Sequence, residues 1–203
     1  MRPITGTVLQ LAVGVLLVGC NDSPTDADLS GTSELEPATV VSTTQPVVVI
    51  MGGAEVGEAT ITRNANGASA HLHTTGLMPG NVYTLWWAVF DNPDECSDTP
   101  TPGCDPSDFL VVNGGVKGMG GHVVGSSGRA SFGARLKLGE VLDGGGVPSF
   151  NTFDDVLGSE MHLVVRNHGP AIPGRVNEQF SEFNGGCPPN TCANFQASVH
   201  PAP

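Results

Sequence analysis

The amino-acid sequence predicts an all-β domain, a two-layer antiparallel β-sandwich with long Gly/Pro-rich loops, and three observations carry that expectation. Apolar residues come in short runs, and no stretch of a dozen residues repeats with a helical period. Gly, Pro and Asn separate the runs, and the 203 residues include 28 glycines and 16 prolines. Turn signals recur between segments of strand-like length, giving at least eight strands.

The elements follow in order. Residues 47–51 are a candidate first strand. Residues 59–63 and 68–74 flank Asn64-Ala65-Asn66-Gly67, whose Asn-Gly supplies the positive φ of a tight hairpin. Met78-Pro79-Gly80-Asn81 marks the next turn. Residues 82–90 (VYTLWWAVF) are apolar at nearly every position, so both faces of this strand are expected to be covered, with Trp86 and Trp87 on opposite sides. Residues 122–124 and 129–136 are expected to form a second hairpin around Gly125-Ser126-Ser127-Gly128. The glycines from Gly114 to Gly121 read as a mobile loop. Residues 160–166 and 193–200 supply two late strands. A helical signal sits at Asp105-Pro106-Ser107-Asp108, where Asp105 and Asp108 form a capping box with Pro106 at the first position.

The first 45 residues have a different character. Arg2 is the only charge before an apolar run over 8–18, which ends in Leu17-Val18-Gly19-Cys20. This is the order of a secretory signal peptide. The run is too short to span a bilayer, which takes roughly 20 residues. Small Gly19 beside Cys20, with Leu17 three positions before the thiol, matches the lipobox of bacterial lipoproteins. Cleavage before Cys20 and acylation of that cysteine are expected, with the membrane as a partner through the lipid anchor. Residues 21–45 are rich in Ser, Thr, Asp, Glu and Pro and hold no aromatic residue. Such a stretch buries too little apolar area to offset its ordering entropy and reads as a flexible tether. The expected organisation is a signal peptide over 1–19, a lipidated tether over 20–45 and one domain over 46–203, on the extracytoplasmic side of the cell envelope.

Charge and cysteines bound the function. The formal net charge is −12, and loss of residues 1–19 removes Arg2 and no acidic group, giving about −13. Nucleic acid is a poor partner for such a surface. After Cys20 four cysteines remain, Cys96, Cys104, Cys187 and Cys192. An even number in an exported domain reads as two disulfides. Of the three pairings, Cys96–Cys104 with Cys187–Cys192 closes the shortest loops and costs least entropy.

Several segments together, Tyr83-Thr84-Leu85-Trp86-Trp87, Phe90 with Asn92-Pro93, His162-Leu163-Val164-Val165-Arg166, His168-Gly169-Pro170-Ala171 and Phe183-Asn184-Gly185-Gly186-Cys187, resemble a group of bacterial exported proteins with no assigned activity. A weaker likeness runs to copper/zinc superoxide dismutase-like sandwiches, through Gly76-Leu77-Met78-Pro79-Gly80, and to chordin-type CHRD domains, through His168-Gly169-Pro170-Ala171. The likeness implies a sandwich fold, superoxide dismutase-like or Ig-like. In the dismutases the strand after this turn brings a His-x-His pair to copper. Here that stretch reads Asn81-Val82-Tyr83-Thr84-Leu85-Trp86-Trp87, so dismutase chemistry is not implied.

The remaining candidates for chemistry are few. Gly125-Ser126-Ser127-Gly128 lacks the Gly-x-Ser-x-Gly elbow of a serine hydrolase, and Gly114 to Gly121 fits no phosphate-binding loop. The loop 91–108 carries Asp91, Asp94, Glu95, Asp98, Asp105 and Asp108, oxygens of the kind calcium takes, but without EF-hand spacing. Of the histidines, His71 and His73 share one strand face and point outward if Leu72 faces the core. They are the candidate ligands for zinc or copper. His162 shares a face with Val164 and reads as a buried, hydrogen-bonded core residue; His168 lies just past its strand; His122 and His200 read as structural. The expected function is a membrane-anchored, non-catalytic β-sandwich binding or envelope-associated module without a cofactor. The alternative is a periplasmic or surface metal-binding protein for copper, zinc or calcium.

Overall fold

The computed structural model describes residues 39–97, 103–145 and 151–203. The signal peptide, Cys20 and the tether as far as residue 38 lie outside the described residues.

Eight antiparallel strands, β1 (Val41–Val49), β2 (Glu55–Asn64), β3 (Gly67–Thr74), β4 (Asn81–Phe90), β5 (Gly114–Val123), β6 (Ala130–Lys137), β7 (Glu160–Pro170) and β8 (Ala193–His200), form one sheet in the order β5-β4-β7-β8-β1-β2-β3-β6. The sheet folds over a core that includes Trp87, Tyr83, Leu85, Ile61, Leu72, Phe153 and Leu163. One short helix, α1 (Val176–Ser181), follows β7.

Strand β1 starts six residues before the expected 47, so 41–45 belong to the sheet and not to the tether. Its outward residues are polar, and hydroxyl pairs across the ladder hold it: Ser42 with Thr62 and Thr44 with Thr60, each at 2.8 Å. A search for apolar runs passes over such a strand, because its cross-strand partners supply the stabilisation. The hairpin at Asn64–Gly67 forms as expected. Asn64 Oδ1 accepts the Asn66 N–H at 2.8 Å, and Gly67 takes φ +136°.

The expected hairpin over 122–136 does not form. Strand β5 pairs with β4 and β6 pairs with β3, so the two are opposite edges of the sheet. The intervening turn is tied instead to the Pro79-Gly80 turn, by Gly80 N–H to Val124 O at 2.8 Å and Leu77 N–H to Gly128 O at 3.0 Å. Across the seam between the edges the His122 and Phe132 rings stack at 4.8 Å. The glycine run is also not a loop: residues 114–123 are strand β5. Gly118 stands opposite Trp86, and a Cβ there would come within 2.8 Å of the indole. Glycine is what lets the Trp86 ring lie over its neighbouring strand.

Every residue of β4 is buried, and the two tryptophans fall on opposite faces as expected. Trp87 enters the main core, while Trp86, Ala88 and Phe90 join a second, outer cluster with Phe109, Val112 and Val116. Loops fold over this outer face. At 105–108 the expected capping box is only half made: Asp108 Oδ2 accepts the Asp105 N–H at 2.7 Å, but Asp105 Oδ1 takes the Ser107 N–H at 2.6 Å instead of the Asp108 N–H. The single 3-10 turn that follows, Asp108–Leu110, starts from Ser107 with no side-chain cap. Fully buried Arg63 donates to the carbonyls of Val156, Ser159, His200 and Pro201, tying the loop before β7 and the end of β8 to β2.

Candidate functional site

The outer face of β4 and β7 carries a narrow apolar cleft. In-register pairs Trp86–Val164 and Ala88–His162 make its floor, and Phe109 and Phe183, from the two disulfide-bearing loops, make its walls. Its volume is about 240 Å³. Phe109 stacks on Phe90 at 4.5 Å with rings 5° from parallel, and Phe183 meets Trp86 edge-on at 5.0 Å. The Arg166 guanidinium sits 3.8 Å over the far Phe183 ring, a cation–π contact, and its nitrogens hold Phe183 O, Asn184 Oδ1 and Asn194 Oδ1 at 2.7–2.9 Å. The Phe183 wall is therefore held from behind by Arg166, and the Phe109 wall by its stacking on Phe90.

At one end of the cleft His162 Nε2 donates to Glu160 Oε1 at 2.7 Å, and the same oxygen accepts the Cys104 N–H at 2.7 Å. Burial pushes the Glu160 carboxyl up, but the His162 hydrogen bond, the Cys104 amide and the nearby imidazole outweigh it and hold the group below its ordinary value. His162 is thus not a core residue as expected. It shares the outer face with Val164 and lines the cleft, because the inner positions of β7 are Met161, Leu163 and Val165. Among the described residues Nδ1 of His162 has no hydrogen-bond partner.

Beneath the cleft, Trp86 Nε1–H donates to Thr84 Oγ1 at 2.6 Å, and Thr84 Oγ1 lies 2.8 Å from His168 Nε2. His168 Nδ1 lies 3.0 Å from Gly185 O. A carbonyl only accepts, so Nδ1 carries the proton and Nε2 accepts from the threonine hydroxyl. Burial, opposed by the Gly185 bond and helped by Arg166, holds the His168 pKa below its ordinary value, so the ring stays neutral. His168 lies within β7 and is fully buried, not past the strand end.

The cysteines pair as Cys96–Cys104 and Cys187–Cys192, with Cα atoms 5.1 and 6.0 Å apart. Two groups of three potential metal ligands occur among the described residues, His168 with Cys187 and Cys192, and Asp108 with Cys96 and Cys104. In both, the sulfurs are spent in disulfides, and a metal ligand must be a thiolate. The acidic loop serves the fold. Asp91 accepts from Ser159 Oγ and Asn113 Nδ2 at 2.7 Å each, and Asp108 Oδ1 accepts from the Ser97 amide and hydroxyl at 3.0 and 2.9 Å. Asp94 and Glu95 are exposed, and Asp98 lies outside the described residues.

His71 and His73 are exposed on the outer face of β3, with Leu72 fully buried beneath. In register beside His73 stand Glu58 on β2 and Ser131 on β6. His73 Nδ1 lies 2.8 Å from Ser131 Oγ. The cleft was missed by sequence reading because its residues come from seven separate stretches of the chain; the aromatics at 86, 90, 109 and 183 outside the alternating inner positions were its only signal.

No protein-family model and no curated protein sequence matches the chain. Among solved structures it is similar to a SOD-like protein from Bacillus subtilis at 16% identity, covering 77% of this chain and 96% of that one with a TM-score of 0.37. A point mutant of a SOD-like protein from Bacillus subtilis matches at 15% identity over 77% of this chain and 95% of that one, with a TM-score of 0.35.

Proposed function

We propose that this chain is a lipid-anchored, extracytoplasmic binding module, non-catalytic, that takes a ring-sized apolar group into the Trp86/Phe183 cleft. The observation that carries the reading is a cleft of about 240 Å³ with aromatic walls braced by disulfide-bearing loops and a histidine at one end. Ligand pockets are mostly apolar with a few placed polar groups, and common volumes start near 300 Å³. A slightly smaller cleft suits one ring of a larger molecule. Anchoring rests on the Leu17-Val18-Gly19-Cys20 lipobox. Among the described residues no helix is long and apolar enough to cross a membrane.

The test is nitrogen-15 NMR of the purified chain titrated with phenol, indole and cyclohexanol. Shifts at the Trp86 indole N–H and at amides around Val164 and Phe183 are expected, and they should vanish in Ala88→Leu, which fills the floor. Shifts scattered over the surface, or equal shifts in Ala88→Leu, would remove the cleft as the site.

A further inference from the structure

We infer that His71, His73 and Glu58 form a divalent transition-metal site, for zinc(II) or copper(II), on the outer face of β2 and β3, with Ser131 positioning one of the ligands. Three features converge. His71 and His73 are two apart on one strand, so their Cα atoms are separated by about 6.5–7 Å on the same side of the sheet. Glu58 is the in-register partner of His73 on β2 and is exposed on that same face. Directly opposed side chains have Cβ atoms about 4.5–5.5 Å apart, so three ligand-bearing side chains rise from one small triangle of sheet.

Ser131 decides which nitrogen of His73 is available. Its Oγ holds Nδ1 at 2.8 Å. With Nδ1–H donating to that oxygen, Nε2 carries the lone pair and points the ring outward. A second hydrogen bond of this kind is what orients metal-bound histidines. On the far side of His71 stands Gly133, where an added Cβ would meet nothing within 4 Å. That open flank leaves space for solvent to complete a tetrahedral or square-planar shell. Glu58, His73 and Ser131 border a groove that Arg129 also lines; its charge opposes a cation, and Glu58 with the net charge of −12 opposes Arg129.

The three ligand atoms are not gathered within 4.8 Å of one another in the metal-free chain. All three side chains are exposed, so rotation about their side-chain torsions gathers them without moving the backbone. The preassembled groups at Cys187/Cys192 and Cys96/Cys104 are the weaker candidates, since their sulfurs are in disulfides and His168 Nδ1–H is committed to Gly185 O.

The test is calorimetry with zinc(II) and copper(II) on the purified, tag-free chain, joined to electron paramagnetic resonance of the copper form. One equivalent should bind at micromolar concentration, with hyperfine structure from two imidazole nitrogens. Weakening by about 10–100-fold is expected for Ser131→Ala, the ordinary effect of losing an outer-shell partner. His71→Ala/His73→Ala should abolish micromolar binding, and Glu58→Gln should weaken it at unchanged nitrogen count. All these side chains are exposed, and an unchanged melting temperature verifies that each variant is folded. His122→Ala should bind as wild type. No micromolar binding, or equal binding by the double variant, overturns the site; equal binding by Glu58→Gln overturns the third ligand.

Discussion

Trp86 and His168 are joined through one hydroxyl: Thr84 Oγ1 accepts the indole N–H at 2.6 Å and meets His168 Nε2 at 2.8 Å. The Trp86 side of the cleft floor is thereby tied into one polar chain, running on through His168 Nδ1–H to Gly185 O. All of its side chains are buried, and a buried group left unpaired costs about 1–3 kcal/mol.

Thr84→Val keeps the shape of the side chain and removes the hydroxyl, stranding both the indole N–H and the imidazole Nε2. A loss of about 2–4 kcal/mol in urea unfolding is expected, together with a shifted Trp86 indole N–H resonance. An unchanged midpoint would mean that water takes the place of the hydroxyl.

His200 gives the domain an acid limit. Its ring is fully buried between Thr43 Oγ1 and Ser198 Oγ, at 3.0 Å each. Burial, with the positive charge of Arg63 and then of His162, brings its pKa down to about 4. The unfolded chain binds this proton more readily, so the stabilisation is complete above the ordinary value near 6.5 and is lost as pH falls toward 4. The loss is about 3 kcal/mol. Urea midpoints measured at pH 7.5, 5.5 and 4 should fall more steeply for wild type than for His200→Gln; parallel slopes would exclude His200 as the group responsible.

Reduction should lower the melting temperature without dissolving the sheet, because both disulfides close short loops outside the strand ladders. In the chain-entropy model each contributes about 2–3 kcal/mol. Cys187→Ala/Cys192→Ala should also loosen the Phe183 wall and weaken phenol binding, whereas loss of all near-ultraviolet circular dichroism on reduction would show that the bonds hold the core itself.

Cys20→Ser should block acylation and lipobox cleavage, leaving an uncut precursor or a soluble product of another peptidase. Mass spectrometry of membrane-extracted wild type should find a diacyl or triacyl mass on an N-terminal Cys20. A free thiol at that position would end the anchoring proposal.

Much of the architecture is written in local sequence. The unbroken apolar run over 82–90 required cover on both faces, Asn66-Gly67 and Pro79-Gly80 required turns, and the eight- and five-residue spacings within the two cysteine pairs made local disulfides the cheapest closures. Alternation around Leu72 sent His71 and His73 outward. These signals are legible because each acts within the span of one strand or turn. Only the tertiary structure decided that β5 and β6 part to opposite edges, since strand pairing is a contest between distant ladders and the turn at 124–129 bonds to residues 77–80 instead of closing a hairpin. Register alone placed Glu58 and Ser131 beside His73, and the cleft exists because loops ending in Phe109 and Phe183 fold over the outer face of β4. Those neighbours are far apart along the chain, and what brings them together is burial of a shared surface, which no local pattern encodes.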